Sequence, residues 1–76
     1  MRGRVIEILN GIRPEFDFSE DVNFIEARML DSLDLVNLVE KLEREFSIVI
    51  DGLDIVTDNF SSLESILNLL KKNGVK

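Results

Sequence analysis

Seventy-six residues, 45% of them hydrophobic and 32% charged, have the balance of one small globular domain rather than of a disordered chain. With no histidine and no cysteine, a Ser-His-Asp or Cys-His catalytic set, a Cys/His zinc site and a disulfide staple are all excluded. The net charge of −6 is concentrated, since residues 14 to 64 carry −11 between an N-terminal segment of +2 and a C-terminal one of +3, and such a field repels nucleic acid and anionic membranes while drawing basic protein patches.

A chain this short buries only about 60% of its unfolded surface, so its stability must come from apolar packing and should be modest. The segment from Met1 to Ile12 is interrupted by Glu7 and Asn10 and lacks the continuous apolar core of a signal peptide. The longest unbroken apolar run is Ile48, Val49 and Ile50, too short to cross a bilayer. A soluble cytoplasmic monomer is expected, with no nucleic-acid or membrane partner. The acids admit a plainer reading as well, in which they only keep a small protein soluble.

Val5, Ile8, Leu9 and Ile12 recur at i, i+3, i+4 and i+7, so residues 2–12 are expected to form a first amphipathic helix. Gly11 weakens its end and Pro14 stops it, because proline has no N–H to donate and pushes its predecessor out of the helical region. From Arg13 to Leu30 the residues Phe16, Phe18, Val22, Phe24, Ile25, Met29 and Leu30 keep no sustained period. A connection of that length suits a compact domain only if its side chains pack, and its three phenylalanines suggest that they do.

Leu35, Leu38, Val39, Leu42 and Phe46 make a second stripe, broadened by Val36, and predict a helix from Ser32 to Phe46. Asp31 makes a good N-cap, with Asp34 three residues on in a capping-box-like arrangement. Ser47 to Gly52 reads as an extended connector and turn, whose β-branched run has no partner strand. A short third helix is expected around Asp54–Thr57. Ser61 followed by Glu64 fits a capping box, and Leu63, Ile66, Leu67 and Leu70 return to helical spacing, giving a last helix from about Ser62 to Asn73. Lys71 and Lys72 complement its C-terminal dipole and Gly74 is placed to end it. The expected fold is therefore all-α, a small helical bundle of three longer helices plus one short one, forming a single domain over residues 1–76.

Ser32 is expected at the first turn of the second helix, where backbone N–H groups lack partners and the helix dipole favours an attached anion by about 0.3–1 kcal/mol at an exposed site. Asp31 and Asp34 flank it and would repel a phosphate, so the dipole alone does not account for the arrangement. The two carboxylates could instead help hold a divalent ion that bridges to an incoming phosphate, or Ser32 could be a helix-start residue and nothing more. Asp51, Asp54 and Asp58 lack EF-hand spacing, and a bundle of this size leaves little room for the cleft a hydrolytic carboxylate pair would need. No catalytic residue and no resident metal site is expected.

The run Asp31, Ser32, Leu33, Asp34, Leu35, Val36, followed by Leu38, Val39, Leu42, Glu43, Glu45 and Phe46, resembles the acyl carrier proteins, in which the sequence DSL marks an attachment serine. Ile48 and Ile50 fall where that family has a short Ile-x-Ile stretch, and Phe60, Leu63 and Ile66 resemble its approach to the last helix, so the likeness covers essentially the whole chain. The resemblance implies that Ser32 carries 4′-phosphopantetheine, transferred from coenzyme A by a magnesium-dependent carrier protein synthase, a phosphopantetheinyl transferase. The arm would supply the thiol this polypeptide lacks, and acyl groups would ride on it as thioesters between successive enzymes of fatty acid or polyketide-type synthesis. Asp31 matches the family's acid before the serine, which helps place the metal during transfer. Leu33 matches an exposed apolar residue that partner enzymes grip.

By the same resemblance the acidic face of the second helix meets basic docking patches on partners, with Asp34, Glu43 and Glu45 carried over by position and Glu40 adding an acid at a place often apolar. Asn37 and Arg44 stand where many members have acids, and Lys41 adds a positive charge. The family often has a glycine a few residues before its serine. Arg28 occupies that region here, which implies a differently shaped loop. Some members fold a fatty chain into the space between their helices, so part of the core is a candidate for expansion.

Two other functions fit the residues. An aminoacyl or D-alanyl carrier would share fold, arm and serine but take its cargo from an adenylating ligase; Met29 and Leu30 before the serine motif resemble such carriers, whereas Asp34 and the dense acids resemble the acyl type. An unmodified acidic helical adaptor would dock a basic partner through the second helix, weaken with salt and be indifferent to Ser32.

Overall fold

A computed structural model describes residues 1–75, in which three α-helices enclose one apolar core and no strand occurs among the described residues. The first helix, α1, spans Arg2–Ile12 and the second, α2, spans Ser32–Phe46. The third, α3, spans Leu63–Lys72. All three fall where the apolar periodicity puts them. The helix α1 ends as proline requires, with the Arg13 N–H donating to Leu9 O just before Pro14.

The core joins Val5 and Leu9 of α1, Leu35, Leu38, Val39 and Leu42 of α2, and Leu63, Ile66, Leu69 and Leu70 of α3. Burying each such side chain stabilises the fold by about 1.5–3 kcal/mol. Arg4 pairs with Glu45 at one end of the α1–α2 contact and Arg13 with Asp31 and Asp34 at the other, so the two helices run antiparallel. That arrangement brings the end of α1 to the start of α2.

The long connection between them packs. Phe18 and Phe24 are fully buried and meet edge to face with ring centres 5.1 Å apart, while Phe16 is half-buried against Phe18. The backbone at Phe24 is bonded on both sides, its N–H to Ser61 O and its carbonyl accepting from Met29 and Leu30. Met29 and Leu30 are thereby drawn into the core, and the residues that follow them are delivered to the start of α2. Asn23 Oδ1 takes the N–H groups of Ile25 and Glu26, a local turn that competes with helix and explains why this segment stays irregular.

Three details differ from the periodicity. The short helix expected at Asp54–Thr57 is absent; two 3-10 turns, Gly52–Asp54 and Thr57–Asn59, flank that stretch instead. The Asp51 side chain accepts from the Leu53 N–H and starts the first turn, and the Asn59 side-chain amide donates to Asp54 O across the gap. The cap of α3 is Ser62 rather than Ser61, with Ser62 Oγ accepting from the Ser65 N–H, while the Ser61 hydroxyl donates back to Asp58 O. Val36, expected to widen the buried stripe of α2, is 63% exposed, because no neighbouring element covers that side of the helix. Gly74 ends α3 at φ 90°, with the Val75 N–H reaching Leu70 O. Lys72 then ties the helix to Asp54 at 3.0 Å.

Candidate functional site

Asp31 caps α2 in extended backbone conformation, and its Oδ1 accepts from the Asp34 N–H at 2.9 Å. Asp34 returns the bond, Oδ2 accepting from the Asp31 N–H at 3.0 Å. This closed capping box satisfies two N–H groups that the first turn leaves unpaired. Ser32 is the first helical residue inside it and is exposed. Leu33, next in the chain, is 74% exposed.

One cation from another element reaches this turn. Arg13, just past the end of α1, donates from Nε to Asp34 Oδ2 at 2.8 Å and from Nη2 to Asp31 Oδ2 at 3.2 Å, with Glu15 at 3.5 Å from Nη1. Hydrogen bonding and charge from Asp34 hold the Arg13 guanidinium above its ordinary pKa. The Asp31 carboxyl is held below the usual carboxylate range, first by the Asp34 N–H and then by the charge of Arg13. A serine hydroxyl thus faces solvent from a helix start whose two flanking carboxylates are already engaged.

The acids expected to face partners separate into different surroundings. Asp34 is 7% exposed and spends its carboxylate on the cap and on Arg13, so the burial of the helix start removes it from the accessible surface. Glu43 is half-buried and its Oε2 accepts from the Ile50 N–H at 2.8 Å, closing the turn after α2. Glu40 is exposed and pairs with Arg44 one helical turn on, and Glu45 pairs with Arg4 of α1. Arg28 precedes the site at φ 60°, the left-handed region that favours glycine; the loop takes the conformation of a glycine without having one.

The periodicity does not single out two further features. Arg13 meets its partners 18 and 21 residues away, a pairing set by helix packing that no local spacing announces. Val49 and Leu53, after α2, are 83% and 86% exposed; the alternation of buried Ile50 with exposed Val49 was the available signal. An open groove between α1 and α2, lined by Glu7, Ile8, Gly11, Lys41, Arg44 and Glu45, lies toward the other end of α2 from Ser32. Among the described residues no cluster of acids is arranged to hold a metal ion, and no helix is long and apolar enough to cross a membrane.

A protein-family model described as a phosphopantetheine attachment site matches residues 2–70. Aminoacyl carrier protein 1 of Bradyrhizobium diazoefficiens is 33% identical over 70 residues, covering 87% of this chain and 77% of that protein. No solved structure matches the chain at a comparable level of significance.

Proposed function

Because the chain belongs to the phosphopantetheine-attachment family of carrier proteins, matched over residues 2–70, we propose that Ser32 is the residue that receives 4′-phosphopantetheine and that the chain serves as one monomeric carrier unit in the cytoplasm. The observation that carries this reading is an exposed serine at the first turn of α2, enclosed by a closed Asp31–Asp34 cap. The residues fit the group: the hydroxyl is accessible, unpaired N–H groups and the helix dipole favour a phosphodiester, and Arg13 offsets the flanking acids.

When bound, the arm supplies a thiol on which a cargo acyl group is held as a thioester. Ser32 contributes the oxygen that bonds to phosphorus as coenzyme A releases adenosine bisphosphate, and its proton passes to a base of the transferase, since the chain has no histidine or cysteine. The Asp31 carboxylate, though bonded to the Asp34 N–H and to Arg13, stays more than half exposed beside the serine, where it can assist a metal brought by the transferase. Leu33, Glu40, Glu43 and Glu45 form the docking surface for partners with basic patches, and exposed Val36, Val49 and Leu53 extend it. Asp34 acts from inside as part of the cap.

For the cargo, an amino acid activated by an adenylating ligase is favoured over a fatty or polyketide acyl chain. The similar Bradyrhizobium protein bears the name of an aminoacyl carrier, and Lys41 and Arg44 interrupt the acidic face of α2. The exposed Leu33 serves either class.

The test begins with apo protein, coenzyme A and a broad-specificity transferase. Wild type should gain the mass of one phosphopantetheine and Ser32→Ala none; a wild type that stays unloaded overturns the reading. The loaded protein is then offered amino acids with adenylating ligases and, separately, acyl groups with an acyl transferase. Loading by the acyl route alone would return the cargo to the fatty acid class.

A further inference from the structure

Arg13 is the only side chain recorded bridging the end of α1 to both carboxylates of the α2 cap among the described residues. Its fork contacts are directional as well as charged: Nε to Asp34 at 2.8 Å and Nη2 to Asp31 at 3.2 Å fix two points of the same turn. Asp34 is almost fully covered, so its charge has little access to water and depends on a protein partner. Ser32 lies between these two acids in sequence. A phosphodiester formed there adds a third negative group to a turn that holds two.

We propose that Arg13 is a positioning residue for modification of Ser32: by bonding Asp31 and Asp34 together it holds the serine-bearing turn in one geometry and offsets the charge that opposes a phosphodiester at that place. The inference rests on the reading of Ser32 as the attachment residue. It makes the end of α1, far from the serine in sequence, part of what the transferase requires of its substrate. Both effects grow as negative charge arrives at the serine, so they act on the transferring state more than on the docking of the free carrier.

Kinetics with the carrier as the varied substrate separate this role from a structural one. A variant that is merely less folded lowers the concentration of competent carrier, which raises the apparent KM and leaves kcat at saturation unchanged. Loss of positioning lowers kcat. Arg13→Gln, checked for folding by circular dichroism at the assay temperature, should lose tenfold or more in kcat with KM within about threefold of wild type. Arg13→Lys keeps the charge without the fork and should fall between the two.

Amide hydrogen exchange on the unloaded proteins adds a readout that does not require loading: in Arg13→Gln, exchange at residues 31–35 should accelerate more than in the body of α3. Wild-type kcat in Arg13→Gln, or a loss confined to KM, overturns the proposal while leaving Ser32 as the attachment residue. Failure of wild type itself to load overturns the Ser32 reading, and exchange at residues 31–35 unchanged by Arg13→Gln overturns the clamp independently of it.

Discussion

Arg28 holds its backbone at φ 60° with an exposed side chain, a conformation that costs an ordinary L-residue about 1–2 kcal/mol and glycine almost nothing. Glycine gives part of that back through its freer unfolded chain. Arg28→Gly should therefore raise stability by about 0.5–1 kcal/mol, read as a higher urea midpoint at unchanged slope; a lower midpoint would mean that the arginine side chain contributes more than the strain removes. Ser32→Ala bears on function rather than folding. The hydroxyl is exposed and alanine suits a first helical turn, so unfolding free energy should stay within about 0.5 kcal/mol of wild type while loading is lost. The capped helix start was legible in the sequence because Asp31 and Asp34 lie three residues apart, whereas Arg13 was not, because its bonds to Asp31 and Asp34 span 18 and 21 residues and exist only once α1 and α2 pack.

At the scale of elements, α2 begins where its cap chemistry places it and carries the site on that first turn. Asp31→Ala opens the capping box and frees one arm of Arg13, and should lower stability by about 1–2 kcal/mol. Asp31→Asn keeps an acceptor for the Asp34 N–H and should cost less, a difference that thermal unfolding of the two variants measures. Acid should act on the same groups. Asp31 and Asp17 both have folded pKa values below the unfolded one, Asp31 chiefly through the Asp34 N–H and Asp17 through its hydrogen bonds with Ser19. Their contribution is present above an unfolded pKa of about 3.9 and is lost as pH falls through the lower folded values. Melting temperature should thus drop on the acid side of about pH 4, and drop less in Asp31→Asn; an equal drop in that variant would remove Asp31 from the cause. The helices were legible because burial imposes a period on each of them. The 3-10 turns were not, because Gly52–Asp54 and Thr57–Asn59 bury no side chain and are held by Asp51 and by the Asn59 amide. Val36 shows the opposite failure, an apolar residue on the expected stripe that no neighbouring helix covers.

The described residues span 28 × 24 × 19 Å, and residues 14 to 64 carry a charge of −11. Charges so confined lie within a few screening lengths of one another, since that length is about 10 Å at 0.1 M salt. Repulsion should then oppose folding, and melting temperature should rise on adding moderate salt or magnesium ions. An unchanged melting temperature would show that pairs such as Arg4–Glu45, Arg13–Asp34 and Lys72–Asp54 already offset the acids. Attachment at Ser32 is tested most directly by the intact mass of this protein purified from its native host, with fragmentation to locate any added group. One phosphopantetheine, bare or bearing cargo, is expected on Ser32; a native protein unmodified at Ser32, or modified at another residue, would contradict that.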